Sequence, residues 1–278
     1  MRSRKTRDGF IWIAAVGGLF RYDGASISHL EIAGPSLAWS DAVTTLLPSA
    51  NGDLLAGHLW GGLSIVHAGR ARPLRAMEGR PFCLAESGNG IIWSVQYSIK
   101  GLSFTTLEKQ VWSRETSEPI TLYDYSGCAT SNSGALVFLA NGAFRIKSTN
   151  HAKSKVIASV SVDAQLVQGS DRRIWLWSAN QLRQVFVRQS GRVTFESPAD
   201  LPMKNMAALV IDRENGVWLV DNAGISKRFE RRLDKMRGTW AWHLGMQTFI
   251  GRFAGDMGNP TLVDRENNVW FGVSDGLH

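Results

Sequence analysis

The chain is poor in cysteine, in long apolar runs and in helical periodicity. Its two cysteines, Cys83 and Cys128, form neither a Cys-x-x-Cys pair nor a Cys/His cluster at zinc spacing, so we predict no metal site and no cofactor. No stretch of 18 apolar residues occurs, which excludes a membrane-spanning helix. Apolar residues almost nowhere recur at helical spacing, so an α-helical fold is disfavoured as well.

Basic residues outnumber acidic residues only modestly. The chain has 31 Lys and Arg against 24 Asp and Glu, a net charge of +7, and the basic residues are scattered apart from positions 2–7 and 227–237. This excess is compatible with an anionic ligand or an acidic partner surface, but no recognition motif accompanies it, so we predict no nucleic-acid binding. A hydrophobic content of 44% argues against disorder, and 11 Trp with 28 Gly suit many short strands joined by tight turns.

What the sequence does contain is an internal repeat. Seven segments align on an Asp-, Asn- or Gly-rich turn followed by an apolar strand that usually carries Trp. The aligned strand positions are Trp12, Leu55, Trp93, Val137, Trp175, Trp218 and Trp270. They follow one another at intervals of 38 to 52 residues, the range expected for a four-stranded propeller blade.

Each repeat is predicted to hold an inner strand, the Trp strand, a Gly-Leu-type third strand and a variable fourth strand. Five inner strands are predicted at 43–47, 82–85, 166–168, 207–211 and 261–263. Such small sheets bury their apolar faces only by packing against one another, and the repeated Trp fills the space between neighbours. We therefore predict an all-β fold: one domain over residues 1–278, a seven-bladed β-propeller of four-stranded blades, with completeness of the terminal blades left open.

The ends of the sequence are atypical repeats. The first has little of an inner strand, and the last stops after Gly276-Leu-His. A basic start followed by apolar residues 10–20 superficially resembles a signal peptide, but those residues match the repeat, so we predict no signal peptide. Strands from the two ends completing one shared blade would explain the pattern, and so would a fragment of a longer sensor protein, which we favour.

Residues 9–24, Gly-Phe-Ile-Trp-Ile-Ala-Ala-Val-Gly-Gly-Leu-Phe-Arg-Tyr-Asp-Gly, closely resemble the two-component regulator propeller repeat. Residues 264–278 and 212–220 match it nearly as well, while the middle repeats are more degenerate. The resemblance implies the extracytoplasmic, periplasmic sensory part of a bacterial hybrid histidine kinase or diguanylate cyclase. It also implies an adjoining signalling domain, which is absent from this chain along with any H-box, kinase nucleotide site or GGDEF motif.

The predicted function is therefore non-catalytic binding of a small molecule or glycan, with no membrane contact by this segment. Ligands of propellers usually lie at the mouth of the channel, where aromatic rings beside polar groups suit sugars. The loops that enter the inner strands and those that follow the Trp strands supply the candidates: Trp39, Asp41, His58, Trp60, Arg80, Tyr97, Lys100, Tyr125, Asn180, Asp221 and Asn222.

Alternatives remain open at this stage. The propeller surface could instead be a protein-interaction scaffold, or a streptogramin-lyase-like enzyme in which His58 or His243 acts as acid/base. The longest interval carries Trp240, Trp242 and His243, either as a lid or docking surface or as an elongated outer strand. Cys83 and Cys128 are either two small buried hydrophobes or a disulfide, because both fall in the same kind of strand in consecutive repeats.

Overall fold

The computed structural model describes residues 2–6, 9–32, 41–77, 79–109, 111–113, 115–120, 127–149, 151–169, 171–178, 180–204, 206–234, 239–250, 261–264, 266–273 and 276–277. Every regular element among them is a β-strand, so the all-β prediction is confirmed. The strands form consecutive antiparallel sheets in a β-propeller arrangement, and six of these blades have four strands or more. The chain divides into two compact units, residues 1–162 and 163–278.

The first unit contains blades one to four. Blade one is β1 (Arg2–Lys5), β2 (Ile11–Ala15), β3 (Gly18–Tyr22) and β4 (Ile27–Leu30). Blade two is β5 (Val43–Pro48), β6 (Leu54–His58), β7 (Leu63–His67) and β8 (Arg70–Arg75). Blade three is β9 (Arg80–Glu86), β10 (Ile92–Ser98) and β11 (Gly101–Glu108), with a fourth strand divided into β12 (Val111–Trp112) and β13 (Thr116–Glu118). Blade four is β14 (Cys128–Thr130), β15 (Leu136–Ala140), β16 (Ala143–Lys147) and β17 (Lys155–Ser159).

The second unit contains blades five and six and a three-stranded sheet. Blade five is β18 (Gln165–Gln168), β19 (Ile174–Ser178) and β20 (Gln181–Val187), with a fourth strand divided into β21 (Val193–Phe195) and β22 (Ala199–Asp200). Blade six is β23 (Met206–Ile211), β24 (Val217–Asp221), β25 (Ile225–Asp234) and β26 (Thr239–Phe249). The last sheet is β27 (Thr261–Val263), β28 (Val269–Val273) and β29 (Gly276–Leu277).

Four of the five repeated tryptophans lie between neighbouring sheets, as the sequence predicts. Trp12 packs with blade two residues, Trp93 with Phe138 of blade four, and Trp175 with Leu209 of blade six. Trp218 contacts Phe271 of the three-stranded sheet edge-on. Because each small sheet buries its apolar face only against the next, these contacts form the core of each unit.

One residue in the turn before each Trp strand was not identified as a shared position from the sequence. It lies six residues before the Trp position, and we call it the cap position. Its side chain can accept a hydrogen bond in six of the seven repeats, at Thr6, Ser49, Ser87, Ser131, Asp212 and Asp264, and the remaining repeat has Gly169. In three repeats this side chain accepts the indole N–H of the same repeat. The Nε1–acceptor distances are 2.8 Å for Trp12 to Thr6, 3.1 Å for Trp218 to Asp212 and 3.0 Å for Trp270 to Asp264.

Blades three and four are joined by a disulfide between Cys83 on β9 and Cys128 on β14. Their Cα atoms are 6.2 Å apart, within the range that a disulfide spans. The bond closes a loop with a sequence separation of 45, which in the chain-entropy description stabilises the fold by roughly 4 kcal/mol. The pairing left open by the sequence is thus decided by the apposition of two inner strands.

A buried ion pair also bridges these two blades. Lys147 Nζ lies 2.8 Å from Glu118 Oε1 and over the ring of Phe104. Burial raises the pKa of the Glu118 carboxyl, but hydrogen bonds from Lys147 and Ser154 outweigh it, so its pKa lies below the ordinary value.

Two expectations about the repeat boundaries are resolved. The expectation that the first repeat has little of an inner strand is wrong, because β1 pairs with β2 over four residues and supplies it. The long final interval holds an elongated outer strand: β25 and β26 form a hairpin with ten paired positions. Both boundaries were hard to predict because the repeated pattern of apolar residues that marks the inner strands is weak in outer and terminal strands.

Candidate functional site

The loop between β6 and β7 presents Trp60 to solvent, with 74% of the residue exposed. Its backbone is held by hydrogen bonds from Gly61 N to His58 O (3.1 Å), from His58 N to Gly62 O (3.2 Å) and from Leu59 N to Ala42 O (2.9 Å). A loop closed in this way holds the indole outside the blade. An exposed Trp on an ordered loop is unusual, because burial of so large an apolar surface is normally favourable.

The segment that links blade two to blade three packs tightly against this loop. A Cβ at Gly61 would lie 2.5 Å from Met77 O and 3.1 Å from Gly79 O, and a Cβ at Gly79 would collide with Tyr97 O. Both glycines also have positive φ, at 108° and 87°. The backbones of the loop, the linking segment and the end of β10 therefore lie in direct contact, which only glycine permits here.

We call the region around these backbone contacts the loop face of blades two and three, and five of the predicted residues lie in it or close to it in the chain. Arg80 and Tyr97 are directly paired across β9 and β10. Lys100 lies in the exposed turn between β10 and β11, and Asp41 adjoins the Ala42 carbonyl that holds the Trp60 loop. The residues of this face are Asp41, Trp60, Arg80, Tyr97 and Lys100. They provide one exposed and one half-buried aromatic ring, two cations and a carboxylate.

His58 lies below the loop face. It is fully buried, and its Nε2 lies 2.9 Å from Ser64 Oγ on the neighbouring strand. On β6 it follows Leu54 and Ala56, which pack in the core between blades one and two. A ligand on the loop face would touch Trp60, while His58 lies within the blade that carries the loop.

The predicted residues of the second unit lie in turns that they themselves hydrogen-bond. Asn180 has a φ of 62°, and its backbone O accepts Leu201 N at 2.9 Å. Asp221 Oδ1 accepts the backbone N–H groups of Ala223 and Ile225, both at 2.9 Å, and Asn222 is exposed. Asn180 and Asp221 thus have a local structural role, and Trp39 and Tyr125 lie outside the described residues.

Metal chemistry finds no support in the part of the chain that the structure describes. No group of three or more His, Cys, Asp or Glu side chains there could hold an ion. Of the two histidines named for a lyase-like mechanism, His58 is buried and His243 lies on the exposed strand β26. Among the described residues, no helix is long and apolar enough to cross a membrane.

Comparison with known proteins gives a fold and no family. No family model matches the chain, and no curated protein matches it significantly. Many solved structures do match. A streptogramin B lyase is 16% identical with a TM-score of 0.68, and the match covers 99% of this chain and 91% of the lyase. A chain of the mitotic checkpoint complex is 12% identical with a TM-score of 0.68, covering 99% and 84%.

The extracellular domain of a hybrid two-component system protein, BT3049 from B. thetaiotaomicron, is also similar. It is 16% identical with a TM-score of 0.67, over 99% of this chain and 38% of that chain. This chain therefore spans well under half of the BT3049 domain. Enzymes, sensors and assembly components all share the architecture, so the fold leaves the function to be argued from the site.

Proposed function

We propose that the chain is a sensory propeller of the two-component regulator type, and that it binds a glycan or a small molecule on the loop face of blades two and three. The observation that carries the proposal is the exposed Trp60 indole on an ordered loop, whose backbone packs against the segment that leads to Arg80, which in turn contacts Tyr97. An aromatic ring fixed in water can stack on the apolar face of a sugar. Neighbouring charged groups can then orient its hydroxyls.

The sensory assignment draws support from two further observations. The chain resembles the extracellular domain of BT3049 in fold, and it carries a disulfide, a bond that persists in oxidising compartments. We accordingly propose a periplasmic or extracytoplasmic location and an adjoining signalling domain in the full protein. For a signal to arise, the ligand must favour one arrangement of that junction over another.

We also propose that the three-stranded sheet is a seventh blade and that residues 1–278 form one domain. Differential scanning calorimetry tests this. A single transition whose calorimetric and van't Hoff enthalpies agree is expected for one cooperative domain, and two transitions would contradict it.

Ligand binding is tested by a thermal-shift screen of oligosaccharides and metabolites, followed by calorimetric titration of each hit. We expect at least one ligand class to raise the melting temperature by mass action. Trp60→Ala should then weaken its binding about tenfold, the loss of roughly 1.4 kcal/mol of stacking.

The matched control is Val111→Ala, which removes another exposed apolar side chain of the same unit (69% exposed). It should leave binding unchanged. If Trp60→Ala leaves binding unchanged, the site lies elsewhere on the chain. If no compound of a broad panel binds, the small-molecule proposal is wrong.

Two other functions stay as alternatives. A protein partner is favoured by the exposed Ile99, which adjoins Lys100 on the same face, and capture of a stable partner without small-molecule stabilisation would support it. For lyase activity, the fold of streptogramin B lyase is the supporting observation. We propose no catalysis by this chain. Turnover of a streptogramin that is lost in His243→Ala would overturn that proposal.

A further inference from the structure

Among the described residues, the outer strand of each four-stranded blade leaves one edge without a neighbouring strand, apart from a single bridge between Ile32 and Ala71 of β8. Most of these edges are protected against pairing with other chains. In blades three and five the outer strand is divided into two short strands. Strands β4 and β17 have only four and five residues, and β8 carries three arginines and Pro73. Short length, interruption, positive charge and proline are the devices by which sheet edges avoid intermolecular pairing.

The outer strand of blade six, β26, is not short, divided, charged or interrupted by proline, and the one irregularity in its pairing with β25 is a register shift between Leu244 and Met246. The strand runs for eleven residues, Thr-Trp-Ala-Trp-His-Leu-Gly-Met-Gln-Thr-Phe, without Asp, Glu, Lys, Arg or Pro. Among the described residues it pairs only with β25, so the backbone groups of its other edge face no strand there. Leu244, Met246 and Phe249 are all exposed.

The strand is also preformed. Ten of its positions pair with β25, and Trp242 near its start donates its indole N–H to Asp200 O at 2.6 Å. Trp242 packs against the cluster between blades five and six. An added strand would therefore meet an ordered template with little further loss of conformational entropy.

Exposed apolar side chains flank both faces of this edge. Leu244 and Phe249 lie opposite Phe229 and Ile225, which share one face of the sheet. Met246 lies opposite Arg228 on the other face of the sheet, because the register shift between Arg228 and Phe229 places Met246 and Leu244 on opposite faces. A strand added at the edge would cover apolar surface on both sides.

We propose that β26 is a homodimer interface, at which two copies of the chain pair their β26 strands antiparallel about a two-fold axis. The absence of charged residues from β26 favours a second copy of this chain as the partner. Self-pairing about a two-fold axis brings like residues close together, and β26 has no Asp, Glu, Lys or Arg to oppose its own kind. The same pairing of β8 would oppose Arg70, Arg72 and Arg75 to one another.

Sedimentation equilibrium of the chain over a wide concentration range tests the proposal. We expect a monomer–dimer equilibrium that closes at two copies, because antiparallel pairing uses the one β26 edge of each copy. Association should strengthen with added salt, since each copy carries a net charge of +7 that screening weakens. A monomer at every concentration, or an open series of larger species, would overturn the proposal.

Variants that add a charge to β26 test whether this strand forms the dimer interface. Met246→Lys places a charge opposite its own kind and should weaken dimerisation at least tenfold. The control is Val156→Lys on β17, which adds the same charge to another outer strand at a side chain of similar exposure (55% against 50%) and should change nothing. Phe249→Lys provides a second β26 variant should Met246→Lys fold poorly. Equal behaviour of the β26 and β17 variants would contradict the assignment of the interface.

Discussion

Blades five and six build the same turn with different side chains. In blade six, Asp212 N donates to Gly216 O (2.9 Å) and Asn215 N to Asp212 O (3.1 Å). In blade five the corresponding bonds join Gly169 N to Arg173 O (2.9 Å) and Arg172 N to Gly169 O (3.0 Å). The backbone of the turn therefore forms whether or not the first residue has a side chain.

The two turns differ in whether the buried indole N–H has a hydrogen-bond acceptor. The buried Asp212 carboxylate accepts Trp218 Nε1 (3.1 Å), Arg228 Nε (2.6 Å) and two backbone N–H groups. The hydrogen bond from Arg228 to this carboxylate raises the pKa of Arg228. In blade five, Gly169 offers no acceptor, and the buried Trp175 Nε1 has no hydrogen-bond partner among the described residues. The comparison shows that the backbone of the turn forms without this side chain, whereas the indole N–H in blade five is left without a hydrogen bond when the side chain is missing.

Removal of the Asp212 side chain, at the cap position of blade six, should have the largest effect on the free energy of unfolding. Asp212→Ala leaves a largely buried arginine and an indole N–H without their common acceptor, and we expect a loss of about 3 kcal/mol in the free energy of unfolding. Urea denaturation measures it. Asp171→Ala in the blade-five turn, where the carboxylate is partly exposed, is the control and should cost less than about 1 kcal/mol. Equal losses would refute the distinction between the two turns.

Replacement of the Trp strand indole by Phe in each of the two blades should give different losses of stability. Trp218→Phe removes a hydrogen bond along with apolar area, whereas Trp175→Phe removes area and a polar group that is already unsatisfied. We therefore expect Trp218→Phe to cost about 1 to 1.5 kcal/mol more than Trp175→Phe in the same denaturation experiment. The same cost at both sites would mean that the blade-five indole has an acceptor after all.

Supplying an acceptor to blade five should stabilise it. Gly169→Thr reproduces the blade-one pair of Thr6 and Trp12. The new Cβ would lie 2.9 Å from Asp171 Oδ1, so that partly exposed side chain must shift, while Ile211 Cγ2 at 3.7 Å is at an ordinary contact distance. We expect a gain of about 1 kcal/mol over Gly169→Ala, which matches the change in backbone freedom without adding an acceptor. Thermal and urea unfolding of the two variants compare them. No advantage of Thr over Ala would remove the proposed hydrogen bond.

The smallest effect concerns the third residue after the cap position, which is left-handed in every described turn of this kind. Asn215 occupies it in blade six with a φ of 63°, and Arg172 in blade five with a φ of 66°. Asparagine tolerates this conformation better than arginine, so Arg172→Asn should stabilise by about 0.5 kcal/mol. Arg173→Asn, one residue later, should bring no gain in the unfolding measurement. A loss on Arg172→Asn would show that the arginine side chain compensates for its backbone.

Sequence periodicity was sufficient for the sheets. The inner strands predicted from alternation and turn residues all exist, whereas the ligand-binding role of Trp60, Arg80 and the other candidate residues stays a prediction. The cap position escaped notice because Thr, Ser, Gly and Asp share no obvious pattern. Counting six residues back from each Trp would have revealed it.

The sequence alone determined that this protein is a chain of small antiparallel sheets with tryptophans between them, because strand alternation and turn chemistry are local. Only the tertiary structure decided that Cys83 joins Cys128, that His58 is buried while Trp60 is exposed, and that β26 forms a long uncharged edge. Each of these depends on which strands and loops come together in space, and residues far apart in the chain meet only once the sheets have packed.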